Sequence, residues 1–218
     1  TQSPNECGGY STTAGLHIAK LCYETLLSHG TAAKLACERH LVTPALERII
    51  EANILLSGLG FESAGLAAAH SIHNGLTALP ETHAFYHGEK VAFGVLAGLQ
   101  LTGAPADEIG TVFSFCEAVG LPTTLAGIGL GEADRERLLI ASAAACATGQ
   151  PVHHEAGIIT ASRVLDALLA AGIAYALLYR IALASGPWGR GTTALLAVAL
   201  PLPFFFAFTV SPSLRIDS

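Results

Sequence analysis

Methionine is missing from all 218 residues, even at position 1, and tryptophan occurs once. The missing initiator leads us to expect a piece whose true start lies upstream. Charge is scarce: Asp, Glu, Lys and Arg make up 13% of the chain, the net charge is -6, and no basic run is present. That balance excludes a nucleic-acid backbone as partner. The cysteines (Cys7, Cys22, Cys37, Cys116 and Cys146) are odd in number and widely spaced, with no Cys-x-x-Cys pair. Neither a disulfide framework nor a zinc knuckle is therefore encoded, and a reducing, cytoplasmic setting is expected. No basic-then-apolar signal segment opens the sequence. Alternating β-branched runs are lacking too, which leaves helix as the building element. What is present is apolar: 51% hydrophobic residues and a mean hydropathy of +0.51. The length suffices for one sizeable core.

The apolar period predicts an all-α bundle of antiparallel neighbours joined by short loops. A first helix is expected from Thr13 to His29, stopped by Gly30, with helix resuming over Thr31 to His40. Thr43 and Pro44 offer an N-cap and a first-turn proline for ALERIIEANILLSGLG. Ser63 or Gly65 is the expected start of the next helix, and Gly75 to Thr82 the turn after it, around Pro80. Further helices are predicted over His87 to Leu101, Ala106 to Val119 with Gly120 as its stop, Glu132 to Ala147 closed by Gly149, and Thr160 to Arg180. Beyond Arg180 the character changes. IALASGPWGRG breaks the pattern, and nineteen uncharged residues follow from Thr192 to Val210. That is about the length of a bilayer span, but Pro201 and Pro203 interrupt it. The expectation is a folded domain over residues 1–180 and an unrelated apolar tail over 181–218. Membrane contact through 192–210 is the less favoured alternative.

The densest chemistry lies in the middle. His70, His73, His83 and His87 fall within eighteen positions. Neutral imidazole is the commonest metal ligand, and LAAAHSIHNGL has the composition of a buried helix, a costly place for imidazoles that bind nothing. His70 and His73 stand three apart and share a helix face; His87 opens the following helix. Two imidazoles brought together across the turn would supply half to two-thirds of a divalent-metal site. A lone histidine on an apolar helix is more often a hydrogen-bonded core residue, and the others here read blandly. His83 sits in the turn, His153 and His154 form a solvated pair, and His17, His29 and His40 are structural or exposed. Glu89 and Lys90 cap and charge the start of their helix, and Glu62 is a cap.

The segments GFESAGLAAAHSIHNGLTA and YHGEKVAFG, in that order and at that separation, resemble the glycerol dehydrogenase branch of the iron-containing (group III) alcohol dehydrogenase family. The resemblance extends through LCYETLL, VTPALERIIEAN, EAVGLPTTLA and AAACATGQ, from about Gly9 to Ala171. It implies a helical domain like the C-terminal domain of dehydroquinate synthase-like dehydrogenases, without the N-terminal α/β nucleotide domain. It implies His70 and His87 as ligands of a catalytic Zn2+ (or Fe2+). The family's third ligand is an aspartate upstream of these motifs; Asp107, Asp134 and Asp166 come later and do not match it, so zinc binding by this chain should be weak. His73 is expected to line the same cleft, as a catalytic proton relay or an orienting group, and Phe61 to wall the substrate pocket. Gly8 and Gly9 do not lie between a strand and a helix, so the NAD cradle belongs to the missing half. The implied reaction is oxidation of glycerol to dihydroxyacetone with NAD, in a homo-oligomer. The competing expectation is a helical remnant or interaction module of the family with no catalysis, tethered by its tail.

Overall fold

The computed structural model describes residues 4–5 and 7–172. The tail over 181–218, the apolar stretch 192–210 within it, and residues 173–180 of the last expected helix lie outside the described residues. The remainder is helical, and β pairing among the described residues amounts to an isolated antiparallel bridge between Pro4 and Tyr10.

Helix α1 spans Thr13–Glu38, with Thr12 accepting the Gly15 N–H through its side chain. The two helices expected on either side of Gly30 are therefore one. Gly30 is buried, and a Cβ there would lie 2.6 Å from the ring edge of Phe115. Its small size admits a neighbouring helix; it is not a stop. Helix α2, Pro44–Glu51, begins as the sequence dictates: Thr43 Oγ1 accepts from the Leu46 N–H at 3.3 Å and Pro44 occupies the first turn. A π-helical turn, Ala52–Leu56, leads directly into α3, Ser57–Ala64. Ser63 and Gly65 therefore end α3 and do not start the next helix. Gly65 has φ +79°, a left-handed conformation suited to glycine, and a Cβ would sit 2.3 Å from the Pro4 carbonyl oxygen.

After that break comes α4, Ala68–Leu76, which carries the first two histidines of the cluster. Its axis is bent 99° from that of the preceding Pro44–Ala64 segment, and among the described residues no single helix is long and apolar enough to cross a membrane. Gly75 was expected to begin a turn; it lies inside α4, pressed on the next-but-two helix. A Cβ at Gly75 would be 2.2 Å from the Ala141 carbonyl oxygen. The turn that follows is built on a 3-10 segment, Pro80–Thr82.

Helix α5, His87–Thr102, has twelve of its sixteen residues buried and so forms the centre of the bundle. Helix α6 spans Ala106–Val119 and stops at the left-handed Gly120, as its sequence signals predict. Helix α7, Arg135–Ala145, starts three residues later than expected because Asp134 caps it, its Oδ1 accepting from the Arg137 N–H at 2.8 Å. A 3-10 turn, Pro151–His154, follows. The last helical stretch, residues 161–172, continues the helix expected from Thr160, whose hydroxyl accepts from the Arg163 N–H.

α4 packs on α5, on α7 and on the Pro151–His154 turn, while α1 supports α2 and α3. Phe93, Leu96, Ile72, Leu76 and Leu138 are fully buried in the shared core. Each such side chain contributes about 1.5–3 kcal/mol through removal from water. The result is a rigid frame around the start of α5 and the face of α4 that meets it.

Candidate metal centre

Local sequence explains why the histidines meet. α4 is short and carries Ala68, Ala69, Ser71 and Gly75 among its nine residues, so it sits close to its neighbours. A Cβ at Gly94 of α5 would approach the Ala69 carbonyl oxygen to 2.6 Å, so a glycine is needed where the two helices touch. The Pro80–Thr82 segment reverses the chain, and Thr82 Oγ1 donates to the Leu76 carbonyl at 2.8 Å, tying the turn to the end of α4. α5 then begins at His87, where Glu89 Oε2 reaches back to accept from the Tyr86 N–H at 2.7 Å.

This brings His70, His73 and His87 together. The His70 and His87 ring centres are 5.4 Å apart, and those of His73 and His87 are 4.2 Å apart. His87 Nδ1 lies 3.0 Å from His73 Nε2, within hydrogen-bond distance. His70 is 6% exposed; His73 and His87 are half-buried. Burial first, then the neighbouring His87 and His73, drive the His70 pKa down to about 3. His73 falls to about 4, chiefly by burial, against the raising effect of its bond to Asn74. His87 is lowered as well, by burial and by the Lys90 ammonium. At neutral pH all three rings are neutral, the form in which imidazole ligates a cation.

The donor chemistry fits a divalent ion at His70 and His87. Two imidazoles bound to one tetrahedral ion at about 2.0–2.1 Å per nitrogen place their ring centres about 5 Å apart. The observed 5.4 Å is close to that spacing. Among the described residues no group of three or more His, Cys, Asp or Glu side chains is placed to hold a metal. The aspartates are engaged elsewhere. Asp134 caps α7, Asp166 faces Arg135 at 3.9 Å, and Asp107 lies in the first turn of α6.

The other histidines divide as follows. His83 is exposed and donates through Nε2 to the Thr77 carbonyl at 2.9 Å, closing the turn. His17 Nδ1 bonds the Thr13 carbonyl at 2.8 Å, and His40 adopts φ +54° just beyond α1. Of the pair expected to be solvated, His153 is exposed and bonds the Cys146 carbonyl at 3.2 Å, whereas His154 is half-buried and donates to the Leu66 carbonyl at 2.9 Å. Phe61 is half-buried on α3, four residues before the bend into α4. Glu62 is exposed within α3 and not at a helix start.

Four residues around the site make contacts that the sequence does not foretell. Lys90, expected to charge the start of its helix, is 6% exposed and donates to the Thr82 carbonyl at 3.3 Å, with its pKa lowered by burial. Glu155, 5% exposed, caps α4 from far along the chain: its Oε1 accepts from the Ala68 N–H at 3.1 Å. Asn74 and Gln150 bond each other at 2.9 Å beside His73. Asn74 and Gln150 lie within the recognised segments, but only the fold brings them into contact.

No protein-family model matches the chain. It is 56% identical over 164 residues to a glycerol dehydrogenase of Escherichia coli O6:H1, an alignment covering 75% of this chain and 45% of that protein. Its fold matches the glycerol dehydrogenase of Schizosaccharomyces pombe with a TM-score of 0.80 at 35% identity, over 85% of this chain and 48% of that one. A probable glycerol dehydrogenase from Sinorhizobium meliloti 1021 matches with a TM-score of 0.75 at 45% identity, over 78% of this chain and 48% of the other. The chain thus spans about half the length of the relatives it matches. By sequence and by helical fold it is similar to a C-terminal part of the glycerol dehydrogenases.

Proposed function

We propose that this chain supplies the metal- and polyol-binding half of an NAD-dependent glycerol dehydrogenase. The observation that carries the reading is the convergence of neutral His70 and His87, with ring centres 5.4 Å apart, from two adjoining helices. In this reading His70 and His87 hold a divalent cation, Zn2+ or Fe2+, and the third ligand comes from outside the described cluster. When bound, that ion supplies Lewis acidity, which favours ionisation of an alcohol near neutral pH.

The chain's own residues then do three things. His70, its pKa pushed down to about 3, and His87, its pKa lowered by burial and the Lys90 ammonium, are neutral at pH 7, so protons do not compete for their lone pairs. His73 bridges His87 to Asn74 on the exposed side of α4, where it can orient the ligand ring and pass a proton outward. Phe61 gives the substrate pocket an apolar wall and helps exclude water. Glycerol is the assigned substrate, because two oxygens on neighbouring carbons can share one cation, and dihydroxyacetone is the assigned product. NAD is assigned to the portion of the relatives that lies outside the match. A homo-oligomer in the cytoplasm, with no nucleic-acid partner, completes the reading.

A second reading is a catalytically silent helical module of the same family. It is favoured by the lack, among the described residues, of a third ligand beside the histidines. NADH formation on addition of glycerol and NAD to the zinc-loaded chain, joined to the half of a glycerol dehydrogenase relative that lies outside the match, separates the two. Glycerol-dependent NADH that disappears on chelation supports the enzyme; no glycerol-dependent NADH with zinc bound refutes it.

A further inference from the structure

A line of side-chain hydrogen bonds runs from the surface to His87. Asn74 Nδ2 donates to Gln150 Oε1 at 2.9 Å. Asn74 Oδ1 lies 3.0 Å from His73 Nδ1, and His73 Nε2 lies 3.0 Å from His87 Nδ1. Each bond fixes the next. An amide whose nitrogen serves Gln150 presents its oxygen to His73, and an amide oxygen only accepts, so His73 carries its hydrogen on Nδ1. A neutral ring has one N–H, which leaves His73 Nε2 as an acceptor. His87 Nδ1 must then be the donor, and a neutral His87 protonated on Nδ1 has its lone pair on Nε2.

The outer end of the line is anchored. Three bonds clamp the segment after Gln150 along α4: the Val152 N–H donates to Ser71 Oγ at 2.7 Å, His154 Nδ1 to the Leu66 carbonyl at 2.9 Å, and the Ala68 N–H to Glu155 Oε1 at 3.1 Å. Gln150 therefore sits on a segment held at several points, not on a free loop.

We propose that Gln150, Asn74 and His73 are positioning residues that hold His87 in its Nδ1–H tautomer, so that Nε2 is the nitrogen offered to a divalent cation. The inference rests on the reading of His87 as a metal ligand. Ligating histidines commonly donate their second ring N–H to an oxygen that sets ring and tautomer. Here a second imidazole takes that place, itself oriented by an amide pair. Without the line, His87 would divide between two tautomers, one of them blocked at Nε2 by a proton.

The test is long-range 15N–1H NMR of the histidine rings in the metal-free 218-residue chain at neutral pH, repeated with zinc alone. The expected spectrum shows His73 and His87 protonated at Nδ1 and bare at Nε2. Asn74→Ala, at an exposed site, should mix the His87 tautomers and weaken zinc binding about tenfold with helix content unchanged. His73→Gln, whose amide oxygen can accept from His87, should restore the single tautomer that His73→Ala loses. An Nε2–H His87 in the parent chain overturns the proposal, as does an Asn74→Ala chain with unaltered tautomer and zinc affinity. Failure of the underlying reading looks different: the predicted tautomer is present, but zinc leaves the His87 Nε2 resonance unmoved.

Discussion

At the residue scale, neutrality is what qualifies His70, His73 and His87 for the role proposed for them, and burial is what enforces it. That enforcement has a consequence for stability. Unfolded histidine titrates near 6.5, while folded His70 and His73 titrate near 3 and 4. Between those values the unfolded chain binds more protons than the folded one, so stability rises with pH. The contribution is fully present above about pH 6.5 and is lost as pH falls toward the folded values. Thermal melting from pH 7 to pH 4 should show a steadily falling Tm, with a shallower slope for His70→Asn. Equal slopes for the two chains would show that His70 is not held neutral by the fold.

At the scale of the element, α4 is the piece that most needs outside help. It is nine residues long, has Ala67 at its N-cap, and makes no side-chain cap of its own. Isolated helices of this length are marginal in water. Glu155 supplies the missing acceptor at Ala68. Glu155→Ala should destabilise the chain by about 2 kcal/mol, the loss of a charged cap on a buried N–H. For a chain of this size that lowers Tm by about 4–8 °C. Glu155→Gln, which keeps an acceptor, should lose roughly half as much. An unchanged Tm in Glu155→Ala by circular dichroism would remove the carboxylate from the account of α4. The elements that read directly from sequence are those whose signals are local. Helix α6 carries its own left-handed Gly120 stop, and α2 carries Thr43 and Pro44. The elements that misread are those set by distant partners. Gly30 has the composition of a stop but serves as the seat of Phe115, and Gly75 resembles a turn but is the contact with Ala141. No window around either glycine contains the residue that explains it.

At the scale of the whole molecule, the bundle brings one face of α4, the Pro80–Thr82 turn and the start of α5 to one place. The density of histidines makes that place legible in the sequence. Its supports are not: Lys90 reads as a charge at a helix start and is buried, and Gln150 is an ordinary loop residue until the fold sets it against Asn74. Glu81 and Arg137 form an ion pair that fastens the turn to α7, another long-range link with no local signal. The central claim is that His70 and His87 share one cation. Calorimetric titration of zinc into the 218-residue chain and into His70→Ala, His87→Ala and the double variant tests it most directly. The account predicts weak binding by the parent, at least about a tenfold loss in each single variant, and a double variant little worse than either single one, because both residues serve one site. Parent-like zinc affinity in both single variants would contradict it.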